Sequence, residues 1–248
     1  MTPESLADLC QRLGRALDQV PPAPGDTAAI FGPGERQLAE AWAERERQRV
    51  ARQGIIVEGA GAELRRAAVL IPLVARPEGA TVLLTQRTAH LAAHAGQISF
   101  PGGRLEPHDR DARAAALRET VEEIGLPDRH IHLVGALEDY GTVSGFRVTP
   151  VIGLVTPPFT LTPDPTEVAA VFEVPLAFIL DPANRRHAVE RRDGLERDVY
   201  EFLFADYRIW GFTARLLVRL SEAIVGVTAI DLRDRMTTDE QPLHGATD

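Results

Sequence analysis

The chain contains no lysine and only one cysteine, and these absences exclude several kinds of chemistry. Without lysine there is no Schiff-base residue and no P-loop lysine to hold a nucleotide phosphate. Cys10 alone cannot form a disulfide within the chain or a cysteine-based zinc cluster. Uncharged apolar stretches of about 18 residues are also absent, so the sequence predicts no membrane-spanning helix. The first residues lack the pattern of an export signal, and we therefore expect a cytoplasmic protein.

Acidic side chains outnumber basic ones by 36 to 27, which gives a net charge of −9. Non-specific binding to nucleic acid depends on arginine and lysine replacing phosphate counterions, so an acidic chain is poorly suited to it. We expect a small-molecule substrate, no nucleic acid and no membrane, and the sequence leaves a homodimer open.

The length of 248 residues and the hydrophobic fraction of 44% predict one globular domain with an appendage. Leu6, Leu9, Leu13 and Leu17 recur at helical spacing and predict a helix over residues 4–17. We expect an N-terminal helical extension and linker over 1–65, which includes a polar helix over 35–52. The main domain is expected over 66–230 and a polar tail over 231–248.

The main domain alternates irregularly between strand and helix patterns. A Pro77-Glu78-Gly79 turn joins the first two predicted strands, and Thr213 is the expected N-cap of the closing helix. This pattern predicts an α+β fold in which a mixed sheet is covered by helices on both faces. The predicted strands cover 66–76, 81–87, 131–140, 146–156, part of 164–180 and 199–211, and the helices cover 110–124 and 213–224.

Three carboxylates crowd one face of the helix predicted over 110–124. Glu119, Glu122 and Glu123 stand at i, i+3 and i+4, within an arc of about 100°. Such charges repel one another unless a divalent cation binds them, and hard oxygen ligands are those that Mg²⁺ or Mn²⁺ prefers. Leu117, Val121 and Ile124 are expected on the opposite, core-facing side, with Gly125 and Pro127 ending the helix. If the helix is considered without its flanking sequence, the competing interpretation is that these carboxylates form a solvated acidic face.

The residues before this helix favour the metal-site interpretation. A Pro-Gly-Gly turn ends at Gly102 and Gly103, and glycines let the backbone approach a phosphate and present its N–H groups. The segment resembles the Nudix box of the Nudix hydrolase superfamily, in which a glycine and a glutamate precede Arg-Glu-aliphatic-x-Glu-Glu-x-Gly-aliphatic. Gly103 matches the first glycine, and the second half reads Arg118-Glu119-Thr120-Val121-Glu122-Glu123-Ile124-Gly125-Leu126.

This chain departs from the superfamily pattern at two places. Asp109 stands where the box has glutamate, with eight residues before Arg118 instead of seven, and Thr120 replaces an aliphatic residue. Residues 83–103 resemble the coenzyme A diphosphatase branch, for which the longer spacing is usual. The matching residues are Leu83, Leu84, Thr85, Arg87, Gly96 and Phe100 through Gly103, whereas Ala92 replaces an arginine and Thr88 a serine or alanine.

The resemblance implies a Nudix-type α/β/α sandwich and metal-dependent hydrolysis of coenzyme A to 3′,5′-ADP and 4′-phosphopantetheine. It implies that Glu119 and Glu123 are direct ligands of Mg²⁺ or Mn²⁺, and that Glu122 binds a second ion or belongs to the catalytic base. Arg118 is expected to hold the glycine loop and an acid such as Asp109. Arg87, Gly102 and Gly103 are expected to bind substrate, with Arg87 a candidate for the 3′-phosphate.

Other candidate residues and functions are open at this point. Glu167 is a candidate for the further carboxylate that Nudix enzymes recruit from a later loop, with Glu138 and Asp139 as other acids. His90 and His94 stand at i and i+4 but lack the third ligand and the glutamate of a zinc-hydrolase motif. The alternative functions are hydrolysis of ADP-ribose or another nucleoside diphosphate derivative, and non-catalytic nucleotide binding.

Overall fold

The computed structural model describes residues 3–18, 64–89, 96–142, 145–192 and 195–239. The polar helix expected over 35–52, together with Ala92 and the pair His90 and His94, lies outside these residues.

The main sheet of the described residues has eight strands: β1 (Arg65–Val74), β2 (Thr81–Arg87), β3 (Ile98–Ser99), β4 (Gly102–Arg104), β5 (Ile131–Ala136), β6 (Tyr140–Gly141), β7 (Phe146–Val155) and β8 (Val168–Pro175). Five of them follow the order β3-β2-β1-β7-β5 across the sheet. Of the remaining strands, β4 pairs with β1, β6 with β7 and β8 with β2. The pairing of β1 with β7 is parallel and the others are antiparallel, so the sheet is mixed as expected.

The centre of this sheet follows from the apolar runs in β1 and β7. In β1 the segment from Ala67 to Val74 is almost continuously apolar, which is typical of a strand covered on both faces. The turn between β1 and β2 brings Leu73 opposite Val82, so the predicted hairpin is confirmed. Ten consecutive residue pairs then join β1 to β7, from Arg65 with Phe146 to Val74 with Val155.

One face of the sheet is covered by helix α2 (Ala112–Ile124). Ala115 and Ala116 of this helix are buried against Ala68 and Leu70 of β1 and Val151 of β7. Alanine side chains let the helix axis approach the sheet closely, so the helix lies directly over the start of β1 and over β4.

Two helices cover the other face: α1 (Pro3–Asp18) and α4 (Gly211–Asp239). Leu6, Leu9 and Leu13 are almost fully buried in the same core cluster as Ile71 of β1 and Leu217 of α4. The leucine stripe of α1 is therefore part of the core. The structure is thus a mixed α+β fold with helices on both faces of the sheet, and among its described helices none is long and apolar enough to cross a membrane.

The last third of the chain differs from expectation in three ways. The short helix α3 (Leu176–Leu180) is followed by a second, antiparallel sheet made of β9 (Arg185–Arg192), β10 (Leu195–Phe204) and β11 (Tyr207–Trp210). Strand β9 was not predicted, and the single strand expected over 199–211 is a hairpin. The prediction that Thr213 caps α4 is wrong, because the helix begins at Gly211 and the Thr213 hydroxyl donates to the Ile98 carbonyl at 2.8 Å. Helix α4 continues across residue 230, and the predicted domain limits stay a prediction.

Candidate active site

Helix α2 presents to the protein interior a face that its apolar residues did not predict. Its buried residues are Ala115, Ala116, Thr120, Glu123 and Ile124, whereas Val121 is 42% exposed. The expectation that Val121 faces the core is therefore wrong. The helix packs through its small residues, which brings it close to β1 and carries Glu123 inward.

Both ends of α2 are fixed by local contacts. The Asp111 side chain accepts from the Ala114 N–H at 2.8 Å and so caps the N-terminus. Gly125 ends the helix with φ of 64°, a left-handed conformation that favours glycine. Beyond it, Thr162 N–H donates to the Ile124 carbonyl and Asp164 N–H to the Glu123 carbonyl, both at 2.9 Å. The last turn of the helix is thereby tied to the loop that leads into β8.

Arg118 joins three carboxylates and the strand that precedes the helix. Its Nε and Nη2 donate to both carboxylate oxygens of Asp109, at 3.2 and 3.0 Å. Its Nη1 contacts Glu119 Oε1 at 3.0 Å and Glu122 Oε2 at 2.9 Å, and its Nη2 also donates to the Arg104 carbonyl at 3.0 Å. The bidentate hydrogen bond from Arg118 holds the pKa of Asp109 below its usual range. The structure thus brings together Arg118, Asp109 and the strand that carries Gly103, as expected for a positioning arginine.

Gly102 and Gly103 of β4 lie directly against two of the helix carboxylates. Gly102 N–H donates to Glu123 Oε2 at 3.2 Å. A Cβ on Gly103 would lie 2.5 Å from Glu119 Cδ, so only glycine leaves room for that carboxylate. In this structure the two glycines therefore form a cradle for Glu119 and Glu123, and their predicted contact with substrate stays a prediction.

Glu123 is a buried carboxylate that lies close to an arginine. Its side chain is 5% exposed, and its Oε1 lies 3.6 Å from Nη1 of Arg87, the last residue of β2. Alternation along β2 puts Arg87 on the same face as Leu83, which packs against Ile124 of α2. The sequence therefore contained a signal for this pairing, although the pairing itself was not predicted.

Burial raises the pKa values of both Glu119 and Glu123, the latter to about 7. Repulsion between like charges adds to this effect: Glu119 raises the pKa of Glu123, Glu122 raises that of Glu119, and Glu167 raises both. Glu167 therefore stands near the two helix carboxylates. Its N–H donates to the Asp164 carbonyl at 3.1 Å, and its own carbonyl accepts from Thr88 N–H at 2.9 Å.

The donor set suits a hard divalent cation, because carboxylate oxygens from Glu119 and Glu123 flank a strand that lacks side chains at Gly102 and Gly103. Among the described residues, no three acidic, histidine or cysteine side chains lie close enough together to hold one metal ion. The reason is that Arg118 holds Glu119 and Glu122 while Arg87 faces Glu123. A cation site here requires the glutamate side chains to turn away from these arginines.

Other acids considered from the sequence have structural partners. Asp139 accepts from Arg147 Nε at 2.5 Å and from the Thr149 hydroxyl at 2.7 Å. Glu138 lies 3.7 Å from Arg219 of α4. Neither contact involves the helix carboxylates, and Glu167 is the further acid that the structure places near them.

Known proteins are similar in sequence to the central part of this chain. The NUDIX domain family model matches residues 64–193. A protein of Photorhabdus laumondii subsp. laumondii described as "Uncharacterized Nudix hydrolase NudL" is 39% identical over 160 residues, which cover 64% of this chain and 85% of the relative. A Yersinia pestis protein of the same description is 41% identical over 161 residues, covering 64% and 80%. Among solved structures, the Nudix hydrolase RenU from M. Smegmatis aligns with a TM-score of 0.40 and 25% identity, covering 46% of this chain and 73% of that one. The chain therefore belongs to the Nudix hydrolase family, whose members use divalent metal ions to hydrolyse phosphorus-containing acid anhydrides in small nucleoside diphosphate derivatives.

Proposed function

We propose that this Nudix hydrolase cleaves the diphosphate of coenzyme A, using Mg²⁺ or Mn²⁺, to 3′,5′-ADP and 4′-phosphopantetheine. Support comes from the stretch 83–103, which resembles the coenzyme A diphosphatase branch and forms β2, β3 and the start of β4. The observation that carries the proposal is the position of Arg87. This motif residue lies at the buried carboxylate Glu123, so the stretch that resembles the branch is part of the site itself.

Glu119 and Glu123 are the proposed ligands of the cation, and Glu122 a ligand of a second ion or part of the catalytic base. When bound, the cation neutralises diphosphate oxygens and lowers the pKa of an attacking water. Burial of Glu119 and Glu123 strengthens their interaction with a cation, because the surrounding medium screens charge less than water does. Arg118 keeps Glu119, Glu122 and Asp109 in fixed relation to one another.

Proton removal from the attacking water needs a carboxylate with an available oxygen. Glu122 is 58% exposed at its side chain, and Arg118 bonds only its Oε2. We propose that Glu122 Oε1, the oxygen that Arg118 does not bond, accepts the proton from the attacking water. Glu167 is the competing candidate because it is exposed and lies near Glu119 and Glu123.

The test is to identify the products formed from coenzyme A, dephospho-coenzyme A and ADP-ribose with Mg²⁺, by liquid chromatography and mass spectrometry. Coenzyme A is expected to be hydrolysed with the highest kcat/KM and to release 3′,5′-ADP. The Glu119→Gln variant is the control for contaminating phosphatases. Faster hydrolysis of ADP-ribose than of coenzyme A would contradict the substrate assignment and leave the diphosphatase chemistry standing.

Hydrolysis of ADP-ribose or another nucleoside diphosphate derivative is the second candidate. It is favoured by Ala92, which stands where the coenzyme A branch carries an arginine. A non-catalytic nucleotide-binding role has less support, because Glu119, Glu122 and Glu123 are all present and Arg118 holds two of them together.

A further inference from the structure

Arg87 is held by its backbone between two strands at the edge of the site. Its N–H donates to the Gln97 carbonyl at 2.9 Å, and the N–H of the next residue, Thr88, donates to the Glu167 carbonyl at 2.9 Å. Side chains alternate along β2, so Arg87 lies on the same face of the sheet as Leu83, the face that α2 covers. The guanidinium group therefore extends toward α2 from a fixed point.

The two arginines of the site, Arg87 and Arg118, contact different carboxylates. Arg118 contacts Asp109, Glu119 and Glu122. Glu123 is left to Arg87 and to the N–H of Gly102. A carboxylate that is 5% exposed has lost most of its contact with water and is stabilised by a nearby positive charge or by hydrogen bonds. Arg87 supplies that charge from 3.6 Å, while its own side chain is 26% exposed.

We infer that Arg87 is the counter-cation of Glu123 and competes with the divalent cation for that carboxylate. The inference rests on the cation site of the proposed function and makes Arg87 a positioning residue in addition to a substrate contact. Two positive groups at one carboxylate repel each other, and the repulsion is strong where the medium screens little. Arg87 thus holds Glu123 in place and lowers the affinity of the site for the divalent ion.

The test measures the Mn²⁺ dissociation constant by electron paramagnetic resonance of free Mn²⁺, at pH 8.0 and without nucleotide. Arg87→Gln and Arg87→Ala are expected to bind Mn²⁺ about two- to fivefold more tightly than the wild-type protein. Arg87→Lys keeps the positive charge and is expected to bind Mn²⁺ as the wild type does. The matched control is Arg113→Ala, which removes an exposed arginine ten residues before Glu123 on the same helix, about 15 Å along its axis. This control is expected to leave Mn²⁺ affinity unchanged.

Unchanged or weaker Mn²⁺ binding in a folded Arg87→Gln or Arg87→Ala protein would overturn the inference alone. Equal tightening in Arg113→Ala would also overturn it, because net charge would then be the cause. Wild-type protein that binds no Mn²⁺ would overturn both the inference and the proposed function. Thermal unfolding of each variant verifies that it is folded, and Gln and Ala give two independent ways of removing the charge.

Discussion

Replacing Gly103 by alanine tests whether strand β4 sets the position of Glu119. The added Cβ would lie 2.5 Å from Glu119 Cδ. Because non-bonded carbons prefer separations of about 3.5–4.0 Å, the carboxyl group must move by about 1 Å. The atom in the way is the far end of a flexible side chain, so a rotamer change relieves the contact. We expect the free energy of unfolding to change by less than about 1 kcal/mol.

The same displacement is expected to be costly for catalysis. A misplacement of about 1 Å in a reacting or ligating group can cost roughly a hundredfold in rate. We therefore expect Gly103→Ala to lower kcat/KM by about two orders of magnitude while the protein remains folded. The assay uses Mg²⁺ and whichever diphosphate the wild-type enzyme hydrolyses fastest, so its outcome does not depend on the coenzyme A assignment.

Gly102→Ala provides the contrasting case at the adjacent residue. Gly102 has φ of 153°, and its added Cβ would lie 2.6 Å from the Cα of Val69 in the paired strand β1. Backbone atoms cannot move aside without breaking the pairing of β4 with β1. We expect this variant to lose at least about 1–3 kcal/mol of stability in addition to activity.

Urea unfolding and steady-state kinetics of the two variants separate these effects. Gly226→Ala is the control, since Gly226 is exposed in α4 with no atom within 4 Å of an added Cβ. It should keep full activity and gain about 0.5–1 kcal/mol from helix propensity. Wild-type kcat/KM in Gly103→Ala, or a loss of stability equal to that of Gly102→Ala, would refute the cradle described for Glu119.

Three further predictions concern the site and the core. Glu119→Gln and Glu123→Gln should each lower kcat by at least about a hundredfold at limiting Mg²⁺, with unchanged circular dichroism; near-wild-type rates would refute their assignment as ligands. Leu9→Ala, at a residue 2% exposed, should cost about 2–5 kcal/mol in urea unfolding, and a cost below about 1 kcal/mol would contradict the packing of α1. Burial raises the pKa of Glu123 to about 7, well above its unfolded value, so this residue stabilises the protein at low pH and loses that contribution as pH rises through about 7. Without divalent cation, Glu123→Gln should therefore gain melting temperature relative to the wild type between pH 5 and pH 8, and a constant difference would contradict the pKa shift.

Short-range pattern was enough to predict much of the fold. Apolar runs and the Pro77-Glu78-Gly79 turn predicted the β1–β2 hairpin, and the leucines of residues 4–17 predicted α1. The end of α2 at Gly125 was also predicted, because it depends on one residue that adopts a left-handed conformation at no steric cost. The spacing of Glu119, Glu122 and Glu123 places the three carboxylates on one face of the helix, whatever surrounds that helix.

The second sheet, which begins with β9, and the start of α4 were harder to predict. Strand β9 contains arginine at four of its eight positions and has no run of apolar residues that would mark it. It forms because β10 supplies the hydrogen-bonding partner along its whole length, from Arg185 opposite Phe202 to Arg192 opposite Leu195. Thr213 matched an N-cap by residue type, yet its hydroxyl bonds a distant carbonyl on β3.

The sequence by itself determined which groups the active site contains, because carboxylate spacing, glycine positions and strand alternation are local properties. Only the tertiary structure decided how those groups are used. Helix α2 buries Glu123 and exposes Val121, because close packing of Ala115 and Ala116 on β1 determines which side is covered, whatever the apolar pattern. Arg87 meets Glu123 because β2 and α2, distant along the chain, pack against each other. Burial and ion pairing depend on such neighbours, and a neighbour from another part of the chain exists only once the sheet and its helices have assembled.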